Sequence, residues 1–331
     1  MRIFIAGGSG VIGRSLVPML IAAGHQVTAL TRDATRAAAL QEQGAQAVLG
    51  DVFDAPGLTG LVCAARPDVV VHQLTAFGTK TNAPGADPLQ ETIRIRQLGT
   101  RHLVEAMRAA QVNRLVTQSI SFVCSARASG LTPQGLTHEN TRLLLDGGLA
   151  FRPLVDAVAE MERLTLSTPG IAGLVLRYGW FYGPGTNYDP LTGSIPRGLR
   201  KGRLPLISNA QGTGQGVYSH IAVPDAAHAT LLAVQRHASG IYNIVDDEPA
   251  KHQVWMNHLA GLLDAPPPAS MPEVAARAAM GDMLTYFMTR QVGASNAKAK
   301  RELEWQPKMA SWRDGFARLY KKPSTRRAKA R

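Results

Sequence analysis

Residues 2–13 read Arg2-Ile3-Phe4-Ile5-Ala6-Gly7-Gly8-Ser9-Gly10-Val11-Ile12-Gly13. Arg2 to Ala6 is a short apolar run with the character of a buried strand. It runs directly into three glycines at a spacing of three, Gly7, Gly10 and Gly13. From Val11 the pattern turns helical, with Val11, Ile12, Leu16, Met19 and Leu20 on one side. Strand, glycine turn and helix form the setting in which a glycine pattern binds a dinucleotide. The turn must be tight, the backbone must approach a pyrophosphate, and the helix must pack closely on the strand. Glycine has no side chain to obstruct any of these. The free N–H groups at the helix start then face the phosphates. Gly7, Ser9, Gly10, Val11, Ile12 and Gly13 are the candidate contacts. The alternative reading is an ordinary strand-to-helix turn.

Bulk properties narrow the choice of class. The 331 residues suffice for one large α/β domain with a smaller lobe. Apolar residues make up 45% and charged residues 18%, as in ordinary globular proteins. Cys63 and Cys124 offer neither a disulfide framework nor metal spacing, so no metal is expected and a reducing cytoplasm is. No run of 18 apolar residues exists, so no membrane span is expected, and the N-terminus does not read as a signal peptide. Net charge is +12, but six of the positive charges fall in the last eleven residues. Residues 321–331 read as a disordered basic tail, and a dedicated nucleic-acid site is not expected.

Further strands follow in order. Gln26 to Thr31 makes the second, and Arg32 and Arg36 stand at and just after its end. Ala45 to Leu49 makes the third, ending at Gly50-Asp51-Val52. Asp68 to His72 is a fourth, almost wholly apolar as buried parallel strands are, and runs into Gln73-Leu74-Thr75-Ala76. His72 reads as a packed strand-end histidine. Residues 77–90 are loop-like, 91–110 read as one long amphipathic helix, and Val112 to Thr117 as a fifth strand closing at Gln118-Ser119-Ile120-Ser121. Gly173 to Tyr178 begins Arg177–Thr186 (RYGWFYGPGT). A helix is expected near 191–201, a strand at Val217 to Ile221, a helix at 226–236 capped by Asp225, a strand at Gly240 to Val245, and helices at 252–263 and 273–288.

The glycine turn, Gln97–Ala106 (QLGTRHLVEA), Arg177–Thr186 and Ser295–Pro307 (SNAKAKRELEWQP) together resemble the short-chain dehydrogenase/reductase superfamily, in its extended branch of NAD(P)-dependent epimerases, dehydratases and reductases. The resemblance covers nearly the whole chain. It implies a doubly wound parallel sheet of Rossmann type, with a small C-terminal substrate lobe. The expected division is a core over 1–180, a lobe over 181–320 interleaved with core elements at 217–245, and the tail. It implies Asp51 and Val52 at the adenine, Leu74, Thr75 and Ala76 against the ribose and phosphates, and Ser119 or Ser121 orienting the substrate carbonyl. It places Arg177 to Phe181 beside the nicotinamide, with Tyr178 also a candidate acid. Trp180, Phe181, Tyr182 and Tyr188 are the candidate substrate contacts. A homodimer is common in the family. The second strand ends in Thr31-Arg32 rather than an acid, which favours NADP, with NAD as the alternative.

The chain departs from the family at its acid/base pair, Tyr-x-x-x-Lys. No tyrosine precedes Tyr178 and the only earlier lysine is Lys80. Counting back from Glu162, the two positions hold Leu154 and Val158, which cannot transfer protons. The leading expectation is an NAD(P)H-dependent oxidoreductase moving hydride to or from a carbonyl, alcohol or conjugated ring carbon of a small apolar or aromatic metabolite. Two alternatives stay open: a nucleotide-sugar epimerase or dehydratase with retained cofactor, using Arg197, Arg200 and Arg203 on a diphosphate, and a non-catalytic NADP-binding redox sensor.

Overall fold

The computed structural model describes residues 1–77, 87–126, 131–145, 149–236 and 238–321. Lys80 and the basic tail beyond Lys321 lie outside the described residues. Seven parallel strands form one sheet: β1 (Arg2–Ala6), β2 (Gln26–Thr31), β3 (Gln46–Leu49), β4 (Val69–His72), β5 (Arg114–Ile120), β6 (Ala172–Tyr178) and an edge strand, Gly240–Ile244. Across the sheet they run edge strand, β6, β5, β4, β1, β2, β3. Ile3 lies between Val27 and Val69 in register, so β1 is central. The order in which successive strands are added reverses between β1 and β4, and ligands of such sheets bind outside the carboxyl ends of the strands at that reversal.

Sequence explains the burial. Val69, Val70 and Val71 are all enclosed because helices cover both faces, which is why β4 is apolar throughout rather than alternating. In chain order the helices are α1 (Gly13–Ala22), α2 (Ala34–Glu42), α3 (Ala55–Ala65), α4 (Pro88–Arg94), α5 (Thr100–Ala109), α6 (Arg152–Ser167), α7 (Ser194–Arg200), α8 (Val223–Gln235), α9 (His252–Leu262) and α10 (Glu273–Thr289). One face packs Leu16, Val17 and Leu20 of α1 with Ala226, Ala229 and Ala233 of α8 against β1. The other packs Leu58 and Val62 of α3 with Leu103 and Met107 of α5. Each such leucine contributes about 1.5–3 kcal/mol on full burial. A separate cluster of Tyr188, Tyr218, Trp255, Trp312 and Phe316 fills the C-terminal part of the chain.

Four expectations need correction. The helix over 91–110 is interrupted: α4 passes into a π-helical turn, Ile95–Gly99, before α5 begins. β5 runs to Ile120, so Ser119 lies within the strand rather than after it. The strand expected at 217–221 is two: Val217–Tyr218 pairs antiparallel with Ala250–Lys251, and His220–Ala222 pairs parallel with Trp180–Tyr182. Asp225 does not cap α8; it is buried in the first turn, where its carboxylate accepts from Lys308 N–H at 3.0 Å and Met309 N–H at 2.9 Å. It thereby ties the segment after Trp305, itself fully buried, onto the core.

Candidate active site

The glycine turn is built as its spacing demands. Gly7 has φ of +99°, and a Cβ there would lie 2.7 Å from the Gln73 carbonyl carbon at the end of β4. A Cβ at Gly13 would lie 2.1 Å from Gly8 O, so α1 can start this close to the turn only without one. Gly10 is different. Its Cβ would meet only Gly7 O, at 3.2 Å, and would otherwise project into open space. α1 starts with no side-chain cap, and the N–H groups of Val11 and Ile12 have no backbone acceptor among the described residues. Ser9, Gly10 and Val11 are partly exposed around these donors.

At the end of β2, Thr31 is buried, and Arg32 turns outward to Asp51 at 3.5 Å and Glu91 at 3.6 Å. Asp33 caps α2, accepting from Thr35 N–H at 2.8 Å and Arg36 N–H at 3.2 Å, and pairs with the Arg36 guanidinium at 3.7 Å. At the end of β3, Asp51 Oδ1 accepts from Phe53 N–H at 3.0 Å, and His102 Nδ1 bonds the Val52 carbonyl at 2.9 Å. These contacts fix both residues expected at the adenine.

The end of β4 is held from several directions. Gln118 Nε2 donates to Leu74 O at 3.0 Å, and Ala76 N–H donates to Thr92 Oγ1 at 3.1 Å. Leu74 and Thr75 remain partly exposed. His72 is fully buried, and burial, with the Arg96 charge, pulls its pKa down to about 3. Its Nδ1 accepts from Leu74 N–H at 3.3 Å, so Nε2 carries the proton and donates to Thr100 Oγ1 at 3.1 Å.

The two candidate serines separate here. Ser119 points into the protein and donates to Glu162 Oε1 at 2.7 Å. Glu162 also accepts from Arg177 Nε at 2.8 Å and Nη2 at 2.6 Å, forming a buried bidentate pair. Ser121, in a short 3-10 turn after β5, is enclosed but makes no hydrogen bond among the described residues. Tyr178 faces the α8 side of the sheet: it is fully buried, receives Gln73 Nε2–H at 3.2 Å and pairs with Thr230 Oγ1 at 2.6 Å. Burial pushes this phenol up to about 12. The expectation that Tyr178 stands at the site as an acid is therefore corrected: its oxygen is occupied within the core.

The substrate candidates divide likewise. Trp180 stacks on Phe122 with ring centroids 4.3 Å apart and meets Phe287 of α10 edge-on at 5.6 Å. Phe151, Val155 and Val158 join this patch, with Ile120 and Met283 against it. Leu154 packs nearby with Ile93 and Ala157. Phe181 instead packs on Tyr178 in the core, and Tyr182 and Tyr188 are buried in the C-terminal cluster, Tyr188 bonding His220 at 3.3 Å. Phe181, next to Trp180 in the strand, faces the opposite way, and Tyr182 and Tyr188 are taken up by the C-terminal cluster. Sequence reasoning overlooked Phe122, Phe151 and the Glu162–Arg177 pair; an arginine inside the otherwise apolar run of β6 was the available signal. Among the described residues no group of acids, histidines or cysteines is placed to hold a metal, and no helix is long and apolar enough to cross a membrane.

Comparison with known proteins agrees with this architecture. A model of the NAD dependent epimerase/dehydratase family matches residues 3–245. The chain belongs to this family. It is 43% identical to a Streptomyces 3-diazoavenalumate denitrifying reductase, over 96% of this chain and all of that one. It is 28% identical to a 4-hydroxy-2-methyl-3-oxo-4-farnesyl-3,4-dihydroquinoline-1-oxide ketoreductase of Stigmatella aurantiaca, over 92% and 91% of the two chains. The crystal structure of a Streptomyces venezuelae dTDP-glucose 4,6-dehydratase with NAD bound superposes with a TM-score of 0.73 at 21% identity, covering 97% and 96% of the chains, and shares the fold. The protein is an NAD(P)-dependent oxidoreductase of a small metabolite.

Proposed function

We propose that this protein is an NADPH-dependent reductase that places a hydride on an electron-poor aromatic metabolite, in a reaction that takes no proton from the protein. The observation that carries this reading is the pairing of an apolar aromatic patch with an α6 that bears Leu154 and Val158 toward it, while its acids Asp156, Glu160 and Glu162 are each paired with an arginine. General acid help is typically worth about 10²–10⁴-fold. A reaction that needs a proton at the reacting centre would forfeit that factor here. One that expels a neutral leaving group loses nothing.

The residues fit a dinucleotide. Gly7 and Gly13 close the turn, Gly10 leaves open space beside the free N–H groups of Val11 and Ile12, and the start of α1 favours negative charge. When bound, the nicotinamide supplies the hydride. Asp33 is engaged as the α2 cap, so no acid at the β2 end is free for a ribose hydroxyl, and Arg32 and Arg36 stand there for a 2′-phosphate. Leu74, Thr75 and Ala76, and Asp51 with Val52, form the rest of the cofactor floor. Tyr178 positions this floor through Gln73, and Ser119 positions β5 and β6 through Glu162. Ser121 is left to orient a polar group of the substrate, whose ring lies against Trp180 and Phe122. Residues 181–320, with the return at 217–245, serve as the substrate lobe. Both thiols are unpaired, in keeping with a cytoplasmic enzyme.

A diazo arene, the substrate class in the name of the Streptomyces relative, meets the requirement. The balance would close on one hydride, which a bound nicotinamide would supply: it would join the ring carbon as the C–N bond breaks, N₂ would leave the aryl diazonium as a neutral molecule, and no other proton or electron would be needed. The test follows nicotinamide absorbance with an arene diazonium, an aldehyde, a ketone, a quinone and a nucleotide sugar in turn. Oxidation by the diazonium with arene and N₂ formed supports the proposal. Conversion of a nucleotide sugar without net cofactor loss would replace it with the epimerase reading, and tight binding without turnover with the sensor. Arg32→Ala is expected to weaken NADPH binding on the order of tenfold, the loss of one charge-assisted contact, and to leave NADH unchanged.

A further inference from the structure

Arg96 sits in the π-helical turn between α4 and α5 and is only 2% exposed. Such widened turns recur at functional sites. Its helical neighbours show which way this face looks. Four residues earlier, Thr92 Oγ1 accepts from Ala76 N–H; four residues later, Thr100 Oγ1 accepts from His72. Both partners belong to the carboxyl end of β4, so Arg96 stands between them at the mouth of the sheet. Ile93, three residues before it, packs with Leu154 and Met283, and Met283 also packs on the Phe122–Trp180–Phe287 patch. The arginine head therefore adjoins the apolar cleft.

Its charge has no partner among the described residues. The guanidinium makes no hydrogen bond or ion pair among the described residues, and Nη1 is fully enclosed. Glu162 attracts Arg96 from a distance, but both its oxygens are taken by Arg177 and Ser119. His72 is held neutral, and burial pushes the Cys124 thiol up to about 11, so neither offers a negative charge near neutral pH. Burial, against the pull of Glu162, brings Arg96 itself down to about 10, which leaves it charged. Two guanidinium groups thus share one carboxylate. An uncompensated buried charge is among the costliest groups a fold can retain, and the cost is removed when a ligand brings the missing negative charge.

We propose that Arg96 is the anion receptor of the substrate site, donating to the carboxylate of an arene whose ring rests on the Phe122–Trp180–Phe287 patch. The assignment rests on the reductase reading of the same cleft. A planar guanidinium matches a carboxylate through two parallel N–H bonds, and beside an apolar wall such a bond is strengthened by exclusion of water.

The test uses the full chain saturated with NADP⁺, whose affinity is measured first so that failure of the reductase reading appears there. Cinnamate and its neutral methyl ester are then titrated into wild type, Arg96→Met and Arg96→Lys by calorimetry. Wild type is expected to prefer cinnamate by about tenfold or more. Arg96→Met is expected to bind the two equally with unchanged NADP⁺ affinity, and Arg96→Lys to recover part of the preference. Thermal melting of the ligand-free proteins gives an independent reading: removing an unpaired buried charge should raise Tm by about 2 °C or more, whereas removing a structural arginine lowers it. Absence of carboxylate preference in wild type, its persistence in Arg96→Met, loss of NADP⁺ affinity in Arg96→Met, or a lowered Tm would each overturn the proposal.

Discussion

Two serines one residue apart from being neighbours have opposite surroundings. Ser119 donates to a buried carboxylate, and Ser121 donates to nothing among the described residues. Ser119→Ala should therefore destabilise the fold by about 1.5–3 kcal/mol, the worth of a hydrogen bond to a charged group, while kcat/KM per folded molecule stays within about twofold. Ser121→Ala should leave the urea midpoint nearly unmoved and lower kcat/KM on the order of tenfold, as one lost substrate hydrogen bond does. Urea melts and steady-state kinetics on the two variants separate the roles. Sequence named both serines and could not choose, because the choice depends on where β5 ends. Three further residues in the strand put Ser119 under α6. Tyr178 shows the same limit: its position in the chain was legible, but the face of β6 that it occupies was not.

At the scale of elements, the strand, turn and α1 of the first twenty-two residues were legible because each glycine answers a local geometric need. The glycines differ in what they permit. Gly13→Ala drives a Cβ to 2.1 Å from Gly8 O, so the turn must move, at a cost of about 3 kcal/mol or more. Gly10→Ala meets only Gly7 O at 3.2 Å, so stability should change by less than about 1 kcal/mol. Its methyl group occupies the open space beside the free N–H groups, and NADPH affinity should fall on the order of tenfold. Thermal melts with NADPH titrations distinguish the two. The helix over 91–110 was legible as helix but not as two segments joined by a π turn. Thr92, Arg96 and Thr100, polar at spacing four beside Ile93, Leu103 and Met107, carried the trace of that turn. Only their partners at the end of β4 explain it.

For the whole molecule, buried histidines set the response to acid. His72 in the sheet and His220 and His252 in the C-terminal cluster are each pulled down to about 3, chiefly by burial. Below the unfolded value of about 6.5, the unfolded chain binds three protons that the folded chain refuses. Their stabilisation is complete above pH 6.5 and is lost as pH falls toward 3. Asp246, whose buried carboxyl is pushed well up, acts in the opposite sense with a single proton. The histidines alone remove on the order of 5 kcal/mol between pH 7 and pH 5, comparable with the stability of a typical domain. Urea unfolding at pH 7, 6 and 5 should show a falling midpoint with little change in slope; a flat profile would contradict the buried, neutral assignment. The aromatic box around His220, made of Tyr188, Trp255, Trp312 and Phe316, draws on residues far apart in the chain, which is why its depth was not legible from their spacing.

By itself the sequence determined the strand-and-helix alternation, the parallel sheet, the glycine turn before α1 and the lack of a tyrosine before Tyr178. Those properties are local: they follow from apolar periodicity, from glycines where a Cβ cannot fit, and from which residue types are present. Tertiary structure decided which way each side chain faces and what it meets. It turned Tyr178 and Ser119 inward, confined Tyr182 and Tyr188 to the core, gathered Phe122, Trp180 and Phe287 from three segments, and left Arg96 without an ion-pair partner among the described residues. Facing depends on strand ends and helix register, and a shift of one residue in either reverses it. That shift is fixed by packing across the whole molecule rather than by neighbours in the chain.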